Sequence, residues 1–131
     1  ISSLIKLSKF LIKKYKIKKR NILGHSDIAF NRKKDPGEKF PWEYLSKHKI
    51  GFWHKINKKI LTRLRNIKIS KTEENRFFKH LFKIGYFSDA KGTFNNKMLI
   101  KAFQRHFRQK LVNGKIDQEC LFIAKNLSKS C

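Results

Sequence analysis

Gly24-His25-Ser26-Asp27-Ile28-Ala29-Phe30-Asn31-Arg32-Lys33-Lys34-Asp35-Pro36-Gly37-Glu38-Lys39-Phe40-Pro41-Trp42 follows the short apolar run Asn21-Ile22-Leu23. A short run that ends in Gly and a polar residue reads as a buried strand, Ile22 to His25, which delivers His25 to its mouth. Beyond it, Asp-Pro-Gly at 35 to 37 and Phe-Pro-Trp at 40 to 42 are turn signals, so Ser26 to Trp42 reads as a loop. A loop of that length is unusual unless it carries function. Upstream, Leu4, Leu7 and Leu11, flanked by Ile5, Phe10, Ile12 and Tyr15, recur at helical spacing with lysines between them. That predicts an amphipathic helix from Ser3 to Lys16. A basic helix of this kind can lie on an anionic membrane, but covering a sheet is the commoner use and is the expectation here.

Downstream, three more helical patterns occur. Glu73 to Tyr86 places Phe77, Phe78, Leu81, Phe82 and Gly85 on one side, with Thr72 as a cap; Asn95 to Lys110 repeats Leu99, Phe103 and Phe107. Asp117 to Leu127 repeats Cys120, Ile123, Ala124 and Leu127 after an Asn113-Gly114 turn, with Asp117 as the cap. None of the three can bury its face alone, so they predict a small bundle. Trp42, Leu45, Ile50, Phe52 and Trp53 read as a wall that closes the first part, and Lys55 to Lys68 as a basic connector. The division falls near Ser70.

The chain has 131 residues, 33 Lys plus Arg against 9 Asp plus Glu, and a formal net charge of +24. With 40% hydrophobic residues, 12 of them Phe, it holds enough apolar material to fold despite that charge. The longest apolar run, Cys120 to Ala124, is far short of the roughly 20 residues that span a bilayer. Cys120 and Cys131 make neither a disulfide framework nor a CxxC knuckle. A strongly basic surface attracts nucleic acid through phosphate neutralisation, yet here the lysines are spread over every segment, as on a solvated surface. No specific nucleic-acid partner is expected.

A catalytic zinc takes three protein ligands and leaves one position for water. An imidazole at a strand end and a carboxylate in a turn, His25 and Asp35, are candidates for two of them. On spacing alone the pair reads rather as a loop histidine and a turn-capping aspartate. In an extended loop residues i and i+2 share a side, which would set the Lys33 ammonium beside Asp35, where it can stabilise an oxyanion. Asp27 either orients the His25 ring or forms a turn. His106, flanked by Phe103 and Phe107, reads as a buried histidine; His48, His54 and His80 have no acidic or cysteine partner at metal spacing and are not assigned to zinc. Trp42 and Trp53 read as core-closing residues.

The run GHSDIAFNRKKDPGEKFPW resembles the signature GHSDIAxxRKxDPGxxFPW of zinc-dependent N-acetylmuramoyl-L-alanine amidases in the peptidoglycan-recognition-protein superfamily, in its AmiD-like branch. Gly51 with its following aromatic residues resembles the end of that domain. Ala102-Phe103-Gln104-Arg105-His106-Phe107-Arg108 and Asn113-Gly114 are similar to the appended peptidoglycan-binding domain. The resemblance implies an α/β fold: residues 1–54 as the C-terminal part of a mixed-sheet amidase domain with its zinc loop at 24–42, a basic connector at 55–70, and a peptidoglycan-binding three-helix domain at 71–131. It implies that His25 and Asp35 bind Zn2+, that Lys33 assists the transition state, and that the bond cleaved joins N-acetylmuramic acid to L-alanine in peptidoglycan or muropeptides. It implies a monomer in the bacterial cell envelope.

The family's first zinc histidine and its catalytic glutamate lie upstream of the motif, and Ile1 to Gly24 contains neither residue type, so the chain reads as a fragment. Phe30 and Asn31 depart from the family pattern, which has Pro after Ile-Ala. A wall-binding module without catalysis is the second reading, and a basic nucleic-acid-binding protein the third.

Overall fold

A computed structural model describes residues 1–86 and 96–131. Among them the regular elements are all helical: α1 (Ser2–Tyr15), a 3-10 turn (Lys19–Asn21), α2 (His25–Ile28), α3 (Trp42–Lys47), α4 (Lys58–Leu64), α5 (Lys71–Ile84), α6 (Asn96–Phe107) and α7 (Gln118–Ser128). This overturns the α/β, mixed-sheet expectation. The strand expected at Ile22 to His25 is absent: Ile22 to Gly24 is irregular and His25 opens α2. A strand needs a neighbour to pair its N–H and C=O groups, and the described residues supply none. The Asp27 carboxylate instead accepts the Gly24 N–H at 2.8 Å and closes a turn.

Helices α4 to α7 share one bundle core, with α5 packed mainly on α7. Ser70 rather than Thr72 caps α5: its hydroxyl accepts the Glu73 N–H at 3.1 Å, and the Glu73 carboxylate accepts the Ser70 N–H at 3.0 Å. That reciprocal pair satisfies two of the donors a helix start leaves open. Phe77 and Leu81 are buried, but Phe82, expected on the same side, is 68% exposed. It lies five positions beyond Phe77, about 140° round the helix at 3.6 residues per turn. On α6, Leu99, Phe103 and Phe107 are buried as their spacing predicts; the expected start at Asn95 lies outside the described residues. On α7, Cys120, Ile123, Ala124 and Leu127 are buried behind the Asp117 cap, whose Oδ1 accepts the Cys120 N–H at 2.9 Å.

The Asn113-Gly114 turn is held from α6. Gln104 Oε1 accepts both backbone N–H groups, at 3.0 and 2.9 Å, and Gly114 takes the positive φ of 73° that such a turn requires. The stretch read as a basic connector contains α4, whose Leu61 enters the bundle core. Phe30, Phe52 and Trp53 also pack against that core. The ligand-loop half therefore rests on the bundle. By contrast, α1 has no buried residue, and its Leu7, Phe10 and Tyr15 are exposed.

Candidate metal centre

The loop from Gly24 to Trp42 folds back on itself because its two limbs bond through the backbone. The Ser26 N–H donates to the Asp35 carbonyl at 2.9 Å. Gly24 permits that approach: a Cβ there would meet Pro36 Cδ at 2.4 Å and Trp42 Cζ2 at 3.4 Å. The consequence is that His25 and Asp35, ten positions apart, face each other with Nδ1 2.6 Å from Oδ2. Both side chains open to solvent. The His25 hydrogen bond chiefly, with the Lys33 charge among the lesser causes, holds the Asp35 carboxyl below its usual pKa despite the opposing effect of burial. The Lys33 N–H donates to the Ala29 carbonyl at 2.8 Å.

One imidazole nitrogen and one carboxylate oxygen, adjacent and accessible, form a donor set that suits zinc. Two zinc bonds of about 2.0 to 2.1 Å near the tetrahedral angle hold their donors roughly 3.3 Å apart, so this pair needs to part by less than an ångström or so. Among the described residues no group of three potential ligands occurs. His54 Nδ1 accepts the Ile56 N–H at 3.3 Å, His80 meets Ser128 Oγ at 3.0 Å, and the His48 ring lies against Tyr44. None of these joins His25 and Asp35.

Asp27 does not touch the His25 ring. It turns inward and is buried, where Oδ2 accepts the Gly24 N–H at 2.8 Å and the His106 Nδ1–H at 2.8 Å, and Oδ1 accepts the Tyr86 hydroxyl. Burial first, then the Asp27 charge, pushes the Tyr86 phenol well above its usual pKa, so it remains a donor. Three donors satisfy a buried carboxylate that would otherwise be costly to desolvate. The His106 ring is stacked on Trp42, centroids 4.0 Å apart at 11°, and on Phe107 at 4.0 Å. Its Nε2 is buried with no partner among the described residues. Leaving such an atom unpaired costs about 1 to 3 kcal/mol, so the bond to Asp27 is what this ring provides that an apolar side chain would not. The burial of His106 matches its sequence context, but its link to Asp27 spans two distant segments and has no sequence signal. Tyr86, next to the end of α5, gave no signal either.

A cavity of about 1000 Å3 lies elsewhere and is lined by neither His25 nor Asp35. It sits between the 51–65 segment and the bundle, with Phe52, Trp53 and Phe107 in its walls and Lys18, Lys19, Arg20, Lys55 and Lys110 around it. Within it, burial pushes His54 down to a pKa of about 4.

The chain is 36% identical to N-acetylmuramoyl-L-alanine amidase AmiD of Escherichia coli (strain K12) over 133 residues, which cover 97% of this chain and 46% of AmiD. This chain is homologous to the AmiD-type amidases. Its fold matches that of E. coli AmiD in complex with the substrate anhydro-N-acetylmuramic acid-L-Ala-D-gamma-Glu-L-Lys, with a TM-score of 0.81 and 34% identity over 98% of this chain and 51% of that one. It also matches AmpDh3 from Pseudomonas aeruginosa, with a TM-score of 0.79 and 30% identity over 98% of this chain and 52% of AmpDh3. The AmpDh3 complex with anhydromuramic pentapeptide gives 0.78 and 29%. No family model matches. The chain thus spans about half the length of these AmiD-type relatives. No described helix is long and apolar enough to cross a membrane.

Proposed function

We propose that this chain carries part of the catalytic centre of a zinc-dependent N-acetylmuramoyl-L-alanine amidase, with His25 and Asp35 as two of its metal ligands. The observation that carries this reading is their juxtaposition at 2.6 Å across an exposed loop, in a chain homologous to AmiD. The substrates are peptidoglycan or muropeptides, and the place of action is the bacterial cell envelope. Zinc held there supplies a water of lowered pKa and polarises the scissile carbonyl. Asp35, kept ionised by the His25 bond and the Lys33 charge, presents an anionic donor. Lys33 places its ammonium where negative charge develops on the substrate oxygen, an interaction worth about 2.7 to 4 kcal/mol when removed from comparable sites. The basic surface concentrates the carboxylate-bearing peptides of the wall polymer.

Zinc titration followed by the imidazole signals of His25, together with hydrolysis of a muropeptide, tests the reading. His25→Ala and Asp35→Asn are expected to abolish zinc binding, whereas Lys33→Met should leave it intact and, in an amidase that carries the remaining catalytic residues, slow hydrolysis by roughly 100- to 1000-fold. Zinc affinity unchanged by His25→Ala would overturn it. The want of a three-ligand group among the described residues favours one second reading, a module that binds the wall without cleaving it. Retention on purified sacculi without zinc uptake or hydrolysis would establish that alternative.

A further inference from the structure

The metal loop does not end at its ligands. Asp27, two residues after His25, is the only loop carboxylate among the described residues that is buried. Two of its three donors come from outside the loop: the Tyr86 hydroxyl, just beyond α5, and His106 Nδ1 on α6. Its third, the Gly24 N–H, is the backbone group immediately before His25. The other limb is tied down in the same way, since Trp42 stacks on the His106 ring and Gln109 Nε2 donates to the Phe40 carbonyl at 2.8 Å. Both ends of the loop are therefore fastened to α6 and the residues just after it.

We infer that Tyr86 and His106 are positioning residues for the metal site: through Asp27 they fix the backbone at Gly24 and Ser26, and so hold His25 opposite Asp35. The bundle is then a working part of the site. This rests on the zinc reading above, and it deepens that reading by assigning a function to bundle residues that touch no ligand. The Asp27 bonds set the entry to α2; that entry sets the Ser26 N–H to Asp35 carbonyl bond of 2.9 Å; and that bond sets the spacing of the two ligands. Without it the pair is competent only for the fraction of time the loop is closed, and apparent affinity falls by that fraction.

Three variants separate this from a general loss of stability. Tyr86→Phe removes one hydroxyl and leaves the ring. His106→Phe keeps a ring against Trp42 but has no donor, while His106→Asn puts an amide N–H near the Nδ1 position and loses the ring. Leu127→Ala, in the bundle core outside the Asp27 cluster, controls for destabilisation. Two signals are read on the full chain: amide exchange at Ser26, without metal, and the dissociation constant for Zn2+ alone. Tyr86→Phe and His106→Phe are expected to speed Ser26 exchange and weaken zinc each by about tenfold, a size usual for partners that orient ligands. His106→Asn should restore most of both, and Leu127→Ala should lower the melting temperature while changing neither. Unchanged exchange and zinc affinity in Tyr86→Phe and His106→Phe would overturn the inference, as would equal changes in Leu127→Ala. A wild-type chain that takes up no zinc at His25 overturns the zinc reading instead, and Ser26 exchange alone then decides whether Asp27 anchors the loop.

Discussion

Arg108→Met should be among the most damaging single changes in the bundle. The Arg108 side chain is 1% exposed and fills the space between the end of α6 and the start of α7. Its Nη1 donates to Asp117 Oδ2 at 2.6 Å and to Glu119 Oε1 at 2.9 Å, and its Nε to the Leu111 carbonyl at 2.6 Å. Methionine fills much of the same volume and removes every donor. Glu119 would keep the Arg65 fork, at 2.9 Å on each oxygen, and Asp117 the N–H groups of Cys120 and Asn66. The loss is then one buried guanidinium shared by two carboxylates; breaking a buried pair costs about 3 to 5 kcal/mol, and the surviving donors place the loss near the lower end. At about 2.1 cal/mol/K per residue the unfolding entropy is roughly 0.28 kcal/mol/K for this chain, so a loss of about 3 to 4 kcal/mol lowers Tm by roughly 11 to 14 °C. Thermal unfolding followed by circular dichroism measures it. Arg108→Lys should fall in between, because an ammonium cannot reproduce the planar fork. A drop under about 3 °C for Arg108→Met would show that the two carboxylates do not depend on this guanidinium, and would refute the reasoning that breaking this buried pair strands a charge.

Three further outcomes follow from the same geometry. Gly24→Ala should open the loop, since its Cβ would meet Pro36 Cδ at 2.4 Å; faster Ser26 amide exchange and about 1 to 3 kcal/mol of lost stability are expected, and a wild-type exchange rate would contradict the close approach. Folding stability should weaken on acidification in two stages: His54 is held to a pKa of about 4 by burial, so below its unfolded value near 6.5 the unfolded chain takes up the proton first. For Asp117 burial acts upward, but the Cys120 N–H, Arg108 and the Asn66 N–H outweigh it and lower the pKa, so its contribution is complete above the unfolded value near 3.9 and is lost as pH falls through the folded one; urea midpoints across pH 3 to 7, roughly the window these values span, would be flat if both assignments were wrong. Finally, a thiol reagent should label Cys131 in the native chain and Cys120 only after denaturation, because burial drives the Cys120 thiol to about 12; rapid native labelling at both positions would contradict the packing of α7.

The residues that the sequence made legible are those whose partners are near in the chain or set by periodicity. Leu99, Phe103 and Phe107 repeat every four positions and are buried together. Cys120, Ile123, Ala124 and Leu127 follow an Asp cap that forms as expected. The reading failed where an answer depended on something distant. Ile22 to His25 has the composition of a strand, but a strand is made by its neighbour, and here the Gly24 N–H is taken by Asp27. Phe82 has the same side chain as Phe77 and differs only in where the helix carries it, out into solvent.

What the sequence determined by itself was the motif from Gly24 to Trp42, the residue types it offers for chemistry, and three helices that need one another. Only the tertiary structure decided that His25 meets Asp35, because a backbone bond between Ser26 and Asp35 folds the loop. It alone decided that Asp27 serves Tyr86 and His106 rather than the His25 ring. Those two partners lie 59 and 79 positions from Asp27 in the chain, and a hydrogen bond at that separation leaves no periodicity to read: its partners are chosen by how the loop packs on α6.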